Sequence, residues 1–140
     1  VGVGNLGRAI LAFFSGRRPK LSIEAAFDSD PDRSGRIIHG CPSYPVAEME
    51  RIVRERGIRI GIIAVPARHA QSAAETLCRA GVTGILNFAP VRLWTPTSAY
   101  VEDFDMTTAL EKVAYYARRF SDGNEAPAED GREAVEAVES

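Results

Sequence analysis

The sequence predicts an α/β fold: a doubly wound, mostly parallel sheet with helices on both faces. Three observations predict it. Short apolar runs alternate with helical patterns over the first 120 residues. A glycine-rich turn, Gly2-Val3-Gly4-Asn5-Leu6-Gly7, joins the first apolar residue, Val1, to the first helical pattern. An acid, Asp28, closes the second apolar run 21 residues after Gly7. Strands that alternate with helices form parallel sheets covered on both sides. A G-x-G-x-x-G turn with an acid at about this distance is the spacing of a dinucleotide-binding unit.

The elements follow in order. Gly2 makes the tight turn out of a strand, Gly4 lets a backbone approach a diphosphate, and Gly7 lets a helix pack closely on the sheet. The helix over residues 5–16 points unpaired N–H groups at that turn. Gly16 stops it, with Arg17, Arg18 and Lys20 as suitable cations near its end. Leu21 to Phe27 reads as a buried strand. Asp28 ends it, either as a carboxylate for ribose hydroxyls or as a turn residue in Asp28-Ser29-Asp30-Pro31. As a ribose ligand it favours NAD(H) over NADP(H), although Arg33 could reach a phosphate.

Gly35 to Tyr44 reads as a short third strand, Ile37-Ile38, and a loop. Pro45 to Gly57 is helical, with Val46, Met49 and Val53 on one face and Ile52 beside it. Arg59 to Val65 is a strand. Pro66 then opens a helix to Ala80 that buries Ala70, Ala73, Ala74 and Leu77. Val82 to Phe88 and Tyr100 to Phe104 are further strands, and Asp105 caps a last helix through about Phe120. Residues 1–104 thus make a Rossmann-type unit, 105–120 a core or dimer helix, and 121–140 a disordered acidic tail. Four candidate contacts fall at strand ends: Gly2 to Gly7, Asp28, Val65-Pro66 and Asn87-Phe88-Ala89-Pro90. The two proline pairs read equally well as strand terminators.

Composition narrows the function. The chain has 140 residues, 45% of them hydrophobic, and a net charge of −2. Residues 121–140 hold seven acids against one base, which leaves +4 on the first 120 residues. That is not by itself a nucleic-acid footprint. Cys41 and Cys78 form no C-x-x-C and read as reduced thiols of a cytoplasmic protein. No apolar run approaches the roughly 20 residues of a membrane span. No metal-ligand spacing, Walker loop, G-x-S-x-G or Tyr-x-x-x-Lys pair is present. His39 and His69 lack an evident carboxylate partner and read as surface or cap residues. These absences favour a nucleotide sensor or binding module over an enzyme. Val1 to Val3 is short for a first strand of about five residues, so the chain reads as a fragment.

The stretches GVGNLGRA at Gly2 to Ala9, AFDSDP at Ala26 to Pro31, AVPA at Ala64 to Ala67 and GVTGILNFAPVR at Gly81 to Arg92 closely resemble the redox-sensing transcriptional repressor Rex family. The resemblance covers residues 1 to about 120. It implies a homodimer whose winged helix, absent from this chain, binds operator DNA. It also implies a Rossmann domain that binds NADH or NAD⁺, with NADH releasing the DNA. By the same resemblance, Gly2, Val3, Gly4, Asn5, Leu6 and Gly7 hold the diphosphate and Asp28 the adenosine ribose. Val65, Pro66, Asn87, Phe88, Ala89 and Pro90 line the nicotinamide side, and Tyr44 matches a tyrosine near it. Asp105 and Met106 match the head of a helix that exchanges between subunits. Two other readings stand beside this one: a stand-alone CoA- or nucleotide-binding domain, and a fragment of an NAD-dependent oxidoreductase.

Overall fold

The computed structural model describes residues 1–15 and 20–121. Residues 16–19 and 122–140 lie outside them, and with them the predicted helix stop at Gly16, the cations Arg17 and Arg18, and the acidic tail. The chain divides into two compact units, one of Val1–Phe104 and one beginning at Asp105.

The first unit contains α1 (Asn5–Phe14), β1 (Ala26–Asp28), β2 (Ile37–Ile38), β3 (Cys41–Pro45), α2 (Met49–Glu55), β4 (Ile60–Ile63), α3 (Ala67–Arg79), β5 (Gly84–Asn87) and β6 (Tyr100–Asp103). Two ladders of three strands run β1-β3-β2 and β4-β5-β6. All pairs are parallel except β2 with β3. The ladders are joined by Val1–Val3. The Gly2 N–H donates to the Phe27 carbonyl at 2.8 Å, and the Ala64 N–H donates to the Val1 carbonyl at 2.8 Å. The Val1 ammonium donates to the Ile62 carbonyl at 2.6 Å. The short opening segment is therefore the central strand of one sheet, and the chain leaves it in opposite directions for β1 and β4. Such a reversal point is where open α/β sheets bind ligands.

Neighbouring residues on β1 serve the two faces. Ala26 joins Val3, Leu11 and Cys41 under α1. Phe27 joins Met49, Ile52 and Val53 of α2 and Ala70, Ala73, Ala74 and Leu77 of α3. Met49 and Ile63 are fully buried, each contributing roughly 1.5–3 kcal/mol relative to exposure. The helical faces read from the sequence are thus the faces that pack.

Three elements differ from expectation. The ladder of β1 covers only Ala26–Asp28, not Leu21 to Phe27, since a strand extends only as far as its neighbours pair with it. The stretch read as one short strand and a loop is a hairpin, in which Ile37 opposes Pro42 and Ile38 opposes Cys41. His39, at φ 48°, and Gly40, at φ 79°, turn it. The helix expected from Pro45 begins as a 3₁₀ turn over Val46–Glu48.

The second unit contains α4 (Met106–Ser121). Asp105 caps it: Thr108 donates to the carboxylate through its N–H at 3.1 Å and its hydroxyl at 2.7 Å. The Thr108 hydroxyl, then its N–H, holds the Asp105 carboxyl below the ordinary 3.8. The cap is accordingly complete above pH 4 and is lost as pH falls through the lowered value. An acid titration followed by NMR should show the Thr108 amide shifting with an apparent pKa below 3.8, and a midpoint at or above 3.8 would contradict the cap.

Candidate nucleotide crevice

At the carboxyl ends of the central strand, β1 and β4 lies a crevice of about 450 Å³. Gly2, Gly4, Asp28, Asp30 and Arg33 line one side, and Val65, Pro66, Arg68, His69, Ser72 and Thr76 the other. Its floor is the glycine turn, and the three glycines are there for different reasons. Gly2 has φ +95°, and a Cβ on it would stand 2.5 Å from the Ala64 carbonyl oxygen. A Cβ on Gly7 would stand 1.9 Å from the Gly2 carbonyl oxygen. Both are required by the fold. Gly4 has φ −78°, and the nearest atom to a Cβ built there is Arg33 Nη1 at 3.8 Å. Among the described residues no contact requires glycine at that position, and the space above it is open to a ligand.

Gly4 is also the N-cap of α1, and no side chain caps that helix. The Arg8 N–H makes the first helical bond, to the Gly4 carbonyl at 2.9 Å. The N–H groups ahead of it face the crevice end of the helix, where an anion is favoured. These features fit a dinucleotide diphosphate.

Asp28 is buried, and both of its oxygens accept backbone bonds. Oδ2 takes the Val3 N–H at 2.8 Å and Oδ1 the Asp30 N–H at 2.8 Å. The carboxylate fastens the glycine turn to the loop after β1. A carboxylate accepts about four hydrogen bonds, so hydroxyls can still add to these two.

The remaining sequence-predicted residues fall into separate places. Asn5 and Leu6 are exposed in the first turn of α1. Val65 and Pro66 line the crevice. Asn87 ends β5 and Phe88, Ala89 and Pro90 follow it; none of the four is among the crevice's lining residues. Asn87 is 1% exposed. Its amide nitrogen donates to Asp103 Oδ1 at 2.9 Å and to the Val91 carbonyl at 3.0 Å, and its oxygen accepts the Ala89 N–H at 3.0 Å. That side chain ties the loop after β5 to the end of β6. Phe88 stacks on Phe104 with ring centroids 5.1 Å apart.

Tyr44 does not line the crevice either. Its hydroxyl accepts from Arg56 Nη2 at 2.6 Å, and Arg56 Nη1 reaches the Glu24 carbonyl, which precedes β1. Tyr44 stands opposite Phe27, one residue before the carboxyl end of β3, while Arg56 joins its hydroxyl to the segment ahead of β1. Asp105 and Met106 belong to the second unit, where the carboxylate is the α4 cap.

Sequence reasoning passed over Arg68, Ser72 and Thr76 and read His69 as a surface or cap residue. Their signal was the recurrence at three to four residues along α3 beginning from Pro66, a second face beside the apolar one. Arg68 Nε donates to His69 Nε2 at 3.1 Å, so that ring nitrogen is an acceptor. Among the described residues, no group of three His, Cys, Asp or Glu is placed to hold a metal. No described helix is long and apolar enough to cross a membrane.

Comparison with known proteins agrees with the architecture. The redox-sensing transcriptional repressor Rex of Lactobacillus gasseri is 40% identical over 124 residues, covering 89% of this chain and 58% of that protein. The crystal structure of RSP, a Rex-family repressor, aligns with a TM-score of 0.79 and 31% identity over 86% of this chain and 57% of RSP. RSP with β-NADH, and RSP with β-NAD⁺ and operator DNA, each align with a TM-score of 0.78. The chain spans a little over half the length of these relatives, which are repressors. The family described as CoA binding domain matches residues 1–91. The chain therefore belongs to the CoA binding domain family, and the relatives it matches along most of its length are Rex repressors.

Proposed function

We propose that this chain is the NADH- and NAD⁺-sensing part of a redox-responsive transcriptional repressor. The observation that carries the reading is Gly4, a glycine that no internal contact demands, at the uncapped end of α1 and the floor of the crevice. Support comes from RSP, solved with β-NADH and with β-NAD⁺ and operator DNA. In this reading Gly2 to Gly7 hold the diphosphate through backbone N–H groups, and Asp28 meets the adenosine ribose. Val65 and Pro66 form the opposite wall, and the loop of Asn87 to Pro90 presents its backbone toward the nicotinamide end. Asp105 and Met106 begin the helix that communicates with a second subunit.

That helix supports a homodimer. Met106, Val113 and Phe120 are all more than 60% exposed, and an apolar face of this kind is covered in an assembly. Operator contact belongs to a winged helix outside these residues, in a cytoplasmic protein. NADH acts by binding the DNA-free arrangement more tightly than the DNA-bound one, since a ligand shifts an equilibrium only by its differential affinity.

Calorimetric titration with NADH, NAD⁺, NADPH and CoA tests the reading. NADH binding tighter than NAD⁺ and NADPH is expected. Binding of CoA with no preference among nicotinamide nucleotides would replace the sensor with a CoA module, the reading that the family's description favours.

A further inference from the structure

The charge nearest the open space above Gly4 is Arg33. It stands on the loop after β1, across the crevice floor from the first turn of α1. A Cβ built on Gly4 would lie 3.8 Å from Arg33 Nη1. The guanidinium is loosely held. Its Nε faces Asp30 Oδ2 at 3.7 Å, and both side chains are over 40% exposed. The backbone below it is fixed: the Arg33 N–H donates to the Asp30 carbonyl at 3.0 Å, and Asp30 itself is fastened to Asp28. A loosely paired head on a hydrogen-bonded base thus overhangs the glycine turn at Gly4.

We propose that Arg33 is the diphosphate clamp of this crevice, leaving Asp30 to close over the ligand's two phosphates. The inference rests on the nucleotide reading of the site and adds a counter-charge on the Gly4 side of it. The backbone N–H groups of α1 bind one side of a diphosphate that carries about two negative charges. Beside Gly4 the loop after β1 otherwise offers only Asp28 and Asp30, both acidic, and the crevice's other guanidinium, Arg68, stands on the opposite wall. A guanidinium offers paired donors to phosphate oxygens, which makes it suited to bridge two phosphoryl groups. Asp30 holds the head in its free position through an exposed pair of small energy, so the exchange from carboxylate to diphosphate is favourable. The clamp acts on the phosphates common to NADH, NAD⁺ and ADP, and so sets affinity for the nucleotide class without distinguishing the redox states.

The test compares ADP, AMP and NADH by calorimetry on the full chain and on Arg33→Ala, Arg33→Lys and Asp30→Asn. Arg33→Ala is expected to weaken NADH and ADP about 10- to 100-fold, the order for a charge-assisted bond, while AMP changes little, so the preference for ADP over AMP collapses. Arg33→Lys restores part of it. Asp30→Asn keeps the acceptor for the Asp32 N–H and tightens ADP binding up to about fivefold. Equal loss for AMP and ADP would make Arg33 a structural residue and overturn the clamp. Unchanged NADH affinity in Arg33→Ala would overturn the clamp alone. A wild-type chain that binds none of the three would overturn the crevice assignment with it.

Discussion

Gly4→Ala is expected to leave the fold standing and to remove nucleotide binding, whereas Gly7→Ala is expected to prevent folding. The two positions differ in what surrounds them. A methyl group on Gly7 would lie 1.9 Å from the Gly2 carbonyl oxygen and 2.9 Å from its carbon. Neither is the end of a flexible side chain; both belong to the backbone of the central strand. Relief would require α1 to lift from the sheet, where Leu11 is buried and Val3 packs beneath it. Overpacking against rigid neighbours costs about 1–3 kcal/mol in ordinary cases, and a contact this short exceeds them. The loss is set against a typical total stability of only about 5–15 kcal/mol.

At Gly4 the backbone angles, φ −78° and ψ −161°, are open to any residue. An alanine there gives up only the modest N-cap preference of glycine, about 1 kcal/mol or less. Its methyl group fills the space a diphosphate would cross. Thermal unfolding should therefore change by a few degrees at most, while NADH affinity falls more than about 100-fold. Near-normal NADH binding by Gly4→Ala would mean that no ligand passes over this turn.

The parts of this protein legible in its sequence are those fixed by short-range rules. The faces of α2 and α3 repeat every three to four residues, and Met49, Ile52, Val53, Ala70, Ala73, Ala74 and Leu77 are all buried as that period requires. The glycine turn and Asp28 announce by spacing alone the edge of the sheet where the crevice lies. The missed features depend on partners remote in sequence. The Leu21 to Phe27 run is apolar along its whole length, yet only its end forms a ladder. Tyr44 reads as a candidate ligand contact, and nothing in the sequence signals that Arg56, twelve residues on, donates to its hydroxyl. Arg33 and the polar face of α3 come together only because the crossover to β4 places α3 across from the loop after β1.

Asn87→Ala is expected to cost about 2–4 kcal/mol, and Asn87→Asp more, although neither residue change alters the shape of the crevice lining. Asn87 is buried as deeply as the apolar core. Its oxygen accepts the Ala89 N–H, while its nitrogen faces the Ala89 and Val91 carbonyls and Asp103 Oδ1. Alanine leaves the buried Ala89 N–H and carbonyl without their partner, which burial penalises, and removes the donor to the Val91 carbonyl and to the exposed Asp103 carboxylate. Aspartate is nearly the same size but reverses the electrostatics: a carboxylate would face two carbonyls and the Asp103 carboxylate. Its neutralisation by proton uptake makes the variant's stability rise as pH falls, opposite to the usual carboxylate pattern. Denaturant unfolding at pH 5 and 8 separates the cases. Asn87→Ala should lose similar stability at both values, and Asn87→Asp should lose clearly less at pH 5. A pH-independent Asn87→Asp variant as stable as wild type would mean that the loop after β5 does not hang on this side chain. Its place at the end of β5 would then be free to serve a ligand directly. The expected outcome instead makes Asn87 the residue that holds the loop after β5 to the end of β6.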